Sequence, residues 1–341
     1  MHSGDTMNPS AGALKGSWQS GIFASVNYHY FIAPPAQWSK GWCILLHGHP
    51  GCSHSWHHAV PFLQEHGYGI ILPDMLGYGG TDKPLDVHAY RASKVVESMD
   101  ALLASVIGEG QKVIAIGHDW GSTIAARLHL RKQGRVQALV MLSVPYLPPS
   151  PTRFDCDAFN AFFRPQVGYD ILDYFKFFSS PEAPALLTTK IDSFLSIIFA
   201  KDTPRVWQER WANGDGMQAA LNSDMKFEIA EYMTEEDLKI YRNELGDGTY
   251  AARLNWYKSF YLSIQQDDDL DLVGERAHIH IPTIFFQGLR DAVCIPQVAM
   301  AQRDFINDLT VIEVDSDHFI MEGTPAQFHA ALLSWFEAKG L

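Results

Sequence analysis

Short, unbroken apolar runs that alternate with helix-patterned stretches constrain this chain more than any other feature. Such runs lie at 42–46, 69–72, 113–116, 138–142, 283–286 and 311–314. A strand covered on both faces shows no polar side, and strands separated by helices return in the same direction, so the pattern predicts a mainly parallel sheet with helices on both faces. The stretch 22–32 is expected to add an antiparallel start. From Pro145 to about residue 264 the strand pattern stops, and Pro148, Pro149 and Pro151 lead into aromatic, helix-forming sequence. The chain therefore reads as a core over 17–145 and 265–341, interrupted by a helical cap over 146–264. The small, polar residues 1–16 read as a disordered leader. Inside the cap, Thr234 and Asp237 form a helix-start box and Gly246 marks that helix's end. Tyr250, Leu254, Tyr257 and Tyr261 share one face of a further helix.

Composition narrows the partners. With 26 basic and 39 acidic residues the formal charge is −13, which argues against nucleic acid or another polyanion. The longest apolar run, 138–144, stops at Pro145, far short of the ~20 residues a membrane helix needs. Four cysteines without C-x-x-C spacing suit a reducing cytosol. A soluble cytoplasmic protein acting on a small molecule is expected. Glycine-rich Gly77 to Gly80 lacks the lysine of a phosphate loop and reads as a tight turn. His54, His57 and His58 are at helical spacing, but no carboxylate or cysteine completes a plausible metal set, so no cofactor or metal is expected. Asp267, Asp268 and Asp269 read as a solvated loop.

The chemistry is concentrated where the run 113–116 meets Gly117-His118-Asp119-Trp120-Gly121-Ser122, followed by a helical stretch over 123–132. A strand, a sharp turn and a helix carrying G-x-S-x-G form the nucleophile elbow of a large group of hydrolases; here Asp119 stands where serine would. An isolated Asp at a helix start ordinarily caps it. Its place between two glycines after a buried strand points instead to a nucleophile. Serine attacking a saturated carbon would leave an ether, which water does not readily cleave. A carboxylate leaves an ester that can be hydrolysed at its own acyl carbon, so Asp119 suits substrates attacked at sp³ carbon, namely epoxides and alkyl halides.

Two further elements follow in order. His47-Gly48-His49-Pro50-Gly51 after the run 42–46 is placed to aim the His49 N–H at the nucleophile, pairing with the Trp120 N–H as an oxyanion hole. His318 follows the last strand and is the expected general base. Asp291, after the run 283–286, is the expected acid that orients it, with Asp315 and Asp317 as competitors; Ser143, after an earlier strand, cannot serve.

Together H-G-H-P at 47–50, Asp74-Met75-Leu76-Gly77-Tyr78-Gly79-Gly80-Thr81-Asp82, G-H-D-W-G-S at 117–122 and Asn255-Trp256-Tyr257 resemble the epoxide hydrolases of the α/β-hydrolase superfamily, in order over roughly residues 20–338. The resemblance implies a mostly parallel eight-stranded sheet with a helical cap. It also implies two cap tyrosines that hold and protonate the epoxide oxygen: Tyr257 matches the second, and Tyr174, or failing it Tyr169, the first. Phe175, Phe178, Trp256 and Pro50 are expected to line the substrate site, and cap aromatics such as Phe159, Phe162, Phe163 and Phe177 suit an apolar or aryl epoxide. His49 departs from the large aromatic usual at its position, and its side chain is expected to add a titrating group to the pocket. Haloalkane dehalogenases are the next resemblance, and a non-catalytic receptor on the same fold is the third. A halide leaves as a stable anion, whereas an epoxide opens to an alkoxide that needs a proton. The two tyrosines therefore favour the epoxide.

Overall fold

A computed structural model of the chain describes residues 16–35 and 39–341; the expected leader, apart from Gly16, lies outside them. Eight strands form one sheet: β1 (Ser17–Phe23), β2 (Val26–Ala33), β3 (Gly41–Leu46), β4 (Tyr68–Pro73), β5 (Val113–His118), β6 (Val136–Leu142), β7 (Thr283–Gly288) and β8 (Leu309–Val314), in the order β1-β2-β4-β3-β5-β6-β7-β8. The first two strands pair antiparallel through a tight turn at Ala24 and Ser25, both at positive φ. Strand β2 also pairs antiparallel with β4, and every pairing among β3 to β8 is parallel.

Every residue of β4, β5 and β7 is buried, which is why these strands read as unbroken apolar runs. Their alternation is still present, sorted between two cores. Val113 and Ala115 face one core with Val95, Met99 and Ile124; these belong to α2 (Ala92–Ile107) and α3 (Trp120–Arg131). Ile114 and Ile116 face the other with Val60, Leu63 and Phe328, from α1 (Ala59–Glu65) and the C-terminal helix Pro325–Lys339.

Because β4 lies outside β3 while β6 to β8 continue beyond β5, the direction of winding reverses between β3 and β5. In open parallel sheets the crevice at the carboxyl ends of such a pair is where ligands bind. The turns after β3 and β5 carry His49 and Asp119, and those after β7 and β8 carry Asp291 and His318.

Between β6 and β7 the regular elements are all helices joined by loops, with an isolated bridge between Ala200 and Ile229 and another from Ile279 to Ile306 beyond β7. Thr234 accepts from the Asp237 N–H and Asp237 from the Thr234 N–H, a reciprocal start to the helix Glu235–Leu245, which ends at Gly246. The single helix expected over Tyr250 to Tyr261 is two short ones, Tyr250–Arg253 and Asn255–Tyr261. Tyr250, Leu254 and Tyr257 still share the buried side. Among the described residues no helix is long and apolar enough to cross a membrane.

Candidate active site

Gly117 and Gly121 make the elbow possible. A Cβ on Gly117 would stand 2.3 Å from the Gly121 carbonyl oxygen, and one on Gly121 would stand 2.0 Å from that of Leu46. Only glycine lets β5, α3 and the end of β3 close this tightly. Asp119 between them has φ 54 and ψ −124 and makes no side-chain bond to the helix it precedes. Such backbone costs a non-glycine residue about 1–3 kcal/mol, and the carboxylate is not used as a cap.

Its Oδ1 accepts from the His49 N–H at 2.7 Å. A Cβ on Gly48 would lie 2.2 Å from that oxygen and 2.6 Å from the Trp120 nitrogen, so the oxygen and the Trp120 N–H share one small space that only glycine leaves open. Trp120 opens α3, where an N–H has no acceptor within the helix. The other oxygen, Oδ2, is 3.7 Å from His318 Nε2, while His318 Nδ1 donates to Asp291 Oδ2 at 2.6 Å. Asp291 Oδ1 accepts from the backbone of Val293 and Cys294, each at 2.9 Å. The competitors are engaged elsewhere: Asp315 is exposed and paired with Arg290, and Asp317 accepts from Tyr232, Thr203 and the Phe319 N–H.

Burial disfavours charge on both Asp119 and His318, but in each case the neighbouring charges and hydrogen bonds outweigh it. His318 and the His49 N–H hold Asp119 below the usual carboxylate range. Against its own burial, the carboxylates of Asp291 and Asp119 raise His318 well above the ordinary imidazole range. The charged form of each is thus favoured by its surroundings.

Asp119, His318, His49 and Trp120 line a cavity of about 480 Å³, together with Pro50, Tyr174, Phe175, Trp207, Trp211 and Tyr257. The rings of Tyr174 and Tyr257 are 5.8 Å apart. Among the described residues neither hydroxyl has a hydrogen-bond acceptor, whereas that of Tyr169 donates to the Ala292 carbonyl at 2.6 Å. Tyr174, not Tyr169, is the tyrosine beside Tyr257. Burial first, and then the nearby Asp119, push Tyr257 well above the ordinary phenol range; burial does the same for Tyr174. Both stay protonated.

A family model described as alpha/beta hydrolase fold matches residues 42–325. The chain belongs to this family. Among curated relatives, epoxide hydrolase 3 of Siraitia grosvenorii is 29% identical over 302 residues, covering 84% of this chain and 89% of that protein. Epoxide hydrolase A of Mycobacterium tuberculosis is 26% identical over 313 residues, covering 86% and 89%. The crystal structure of epoxide hydrolase A from Mycobacterium thermoresistibile superposes with a TM-score of 0.79 at 25% identity, over 94% of this chain and 98% of that one.

Within this α/β-hydrolase the structure departs from several expectations. Phe178 and Trp256 stand behind the cavity wall. Phe178 packs edge-on against Tyr257, and Trp256 points into the core, where its indole donates to the Leu76 carbonyl at 3.0 Å. Trp207 and Trp211 line the cavity instead; their spacing of four residues in W-Q-E-R-W was the available signal. Phe162 is 68% exposed. The His49 imidazole adds no titrating group near neutral pH. It is 1% exposed, its Nδ1 is bonded to Tyr78 Oη at 2.7 Å, and burial lowers it to about 3. Ser143 cannot be the acid, yet its hydroxyl donates to the His318 carbonyl, as does His118 Nε2. A carboxylate does approach the 54–58 histidines: Asp237 Oδ1 lies 2.7 Å from His54 Nε2. His57 joins them, so that one ligand atom each from His54, His57 and Asp237 lies within 4.8 Å of the others, and the set the sequence left incomplete is completed by a carboxylate 183 residues after His54; His57 Nδ1 is itself bonded to the His54 carbonyl at 2.9 Å.

Proposed function

We propose that this chain is an epoxide hydrolase that converts an apolar epoxide to a vicinal diol through a covalent ester on Asp119. The observation that carries this is the placement of two protonated phenols, free of acceptors among the described residues, in the same cavity as the elbow carboxylate. Asp119 attacks an epoxide carbon, the C–O bond breaks, and Tyr174 and Tyr257 hold the departing oxygen and supply its proton. Esterification removes the charge on Asp119 that helps hold a proton on His318, so the imidazole becomes easier to deprotonate at the step that needs a base. The proton His318 gives up restores the tyrosine that protonated the alkoxide. The neutral imidazole, held by Asp291, then takes a proton from water as that water attacks the ester carbonyl, whose oxyanion is met by the His49 and Trp120 N–H groups. Residues 146–264 act as the cap that brings the phenols. The four cysteines are free and buried, which suits a reducing cytoplasm.

The purified protein is expected to form diol from styrene oxide and to release no halide from a haloalkane. A single turnover in heavy-oxygen water places the protein's own carboxylate oxygen in the diol and the label in Asp119. Halide release without diol formation would sink the assignment, because a stable leaving anion has no use for the phenols; the absence of both across a broad panel would point to a receptor.

A further inference from the structure

We propose that the site selects epoxides carrying one long apolar arm, with the oxirane ring at or next to the end of the molecule. The inference rests on the epoxide-opening reading above and starts from where the cavity meets solvent. Of the described residues that line it, the exposed ones are Thr152, Arg153, Asp155 and Ala158. All four lie in one short segment, which marks the mouth of the cavity among the described residues.

The aromatic wall gives the order of what lies behind that mouth. Phe159 is 6.2 Å from Phe154 between ring centroids, Phe154 is 6.0 Å from Phe175, and Phe175 is 5.0 Å from Tyr257. Tyr174 adjoins Phe175 as closely, at 4.8 Å, and from Tyr174 the rings continue to Trp211 at 4.9 Å, Trp207 at 5.0 Å and His318 at 5.5 Å. Trp207 and Trp211 are 2% and 3% exposed. The nucleophile and phenols thus sit at the blind end of an apolar passage. A chain entering at Thr152 has its arm lodged along Phe154, Phe175 and Phe260 when its leading end reaches Asp119. Each methylene along that wall leaves water on binding and favours the longer arm. An oxirane at the centre of the same chain would push a second arm past Asp119 into the space the two tryptophans fill, and interiors packed this tightly resist added volume.

The test uses the purified full chain with three probes: a terminal epoxide of a twelve-carbon chain, its positional isomer with the oxirane at the centre, and a short terminal epoxide. The expected kcat/KM favours the terminal twelve-carbon isomer over the central one by roughly 100-fold. Leu147→Trp, which adds bulk to the cavity lining five residues before Thr152, is expected to lower the ratio of long-arm to short terminal turnover by about tenfold. Because that readout is a ratio, a general loss of folded protein does not produce it. Equal kcat/KM for the two isomers, or an unchanged ratio in Leu147→Trp, would overturn the blind-end assignment while leaving the epoxide reading intact. Failure to open even the short epoxide would overturn that reading and this inference with it.

Discussion

On the sheet side of the cavity, Asp119, His318 and Asp291 are tied by directional bonds: the His49 N–H to Asp119, the backbone of Val293 and Cys294 to Asp291, and Asp291 in turn to His318. On the cap side, Tyr174 and Tyr257 are held by packing. Tyr257 meets the rings of Trp120, Phe175, Phe178 and His49 at 4.8–5.3 Å, and its hydroxyl is left without an acceptor among the described residues. The difference follows the chemistry. Groups that carry or relay charge need their orientation and protonation fixed by hydrogen bonds in a low-dielectric site. A donor meant for the substrate must not already be spent on the protein, so its position has to come from apolar contact.

The sheet side can be broken most completely. Asp119→Ala removes the atom that forms the ester, and diol formation is expected to fall by ~10⁴-fold or more. His318→Gln should separate the two steps, since attack on the epoxide needs Asp119 and the phenols but no base. Intact mass spectrometry of that variant after mixing with substrate is expected to show the protein carrying one added epoxide mass, stable over minutes. An adduct that fails to accumulate, or one that persists in Asp119→Ala, would remove His318 or Asp119 from the assigned role.

The cap side should give graded losses. Tyr174→Phe and Tyr257→Phe each keep the ring packing and remove one donor, so each is expected to lower kcat about 10- to 100-fold, and the pair together about 10³-fold. Circular dichroism and melting temperature should hardly move, because no protein acceptor loses a bond. Epoxide turnover surviving the double change would return the two tyrosines to the status of core aromatics.

The same contrast explains what could be read from the sequence. Strands covered on both faces leave unbroken apolar runs, and a turn that excludes every Cβ leaves two glycines flanking one residue. Hence the sheet, the elbow and the placement of His49, Asp291 and His318 around Asp119 are legible in the one-dimensional string. The cavity lining was less so. Phe175 and Phe178 are three residues apart and equally aromatic, yet Phe175 lines the cavity and Phe178 packs behind Tyr257. Trp256 and Tyr257 are neighbours pointing different ways, one donating to Leu76 and one facing Asp119. Short cap helices have no long periodic stripe to reveal their faces. Ser143 and His118 act on the His318 backbone from 175 and 200 residues away, a contact that no local pattern contains.

The seam between sheet and cap offers the smallest effect and the finest test of the comparison, because it uses hydrogen bonds where no chemistry is done. Asp237, at the start of a cap helix, accepts from the Thr234 N–H at 3.0 Å and bonds His54 of the core at 2.7 Å. Partial burial opposes its ionisation, but His54 and Thr234 outweigh that and hold its carboxyl below the usual range. A carboxyl depressed in the folded state adds stability that is present above its unfolded pKa of roughly 4 and is lost as pH falls through the folded value. Asp237→Asn is therefore expected to cost about 1–2 kcal/mol in urea unfolding at neutral pH. The gap to the unaltered protein should narrow as pH drops below about 4. Turnover of a short epoxide at 25 °C should change far less than for any cavity variant, since Asp237 does not line the cavity. A stability gap that stayed constant down to low pH would show that the helix-start bonds alone, without the charge, hold this end of the cap to the core.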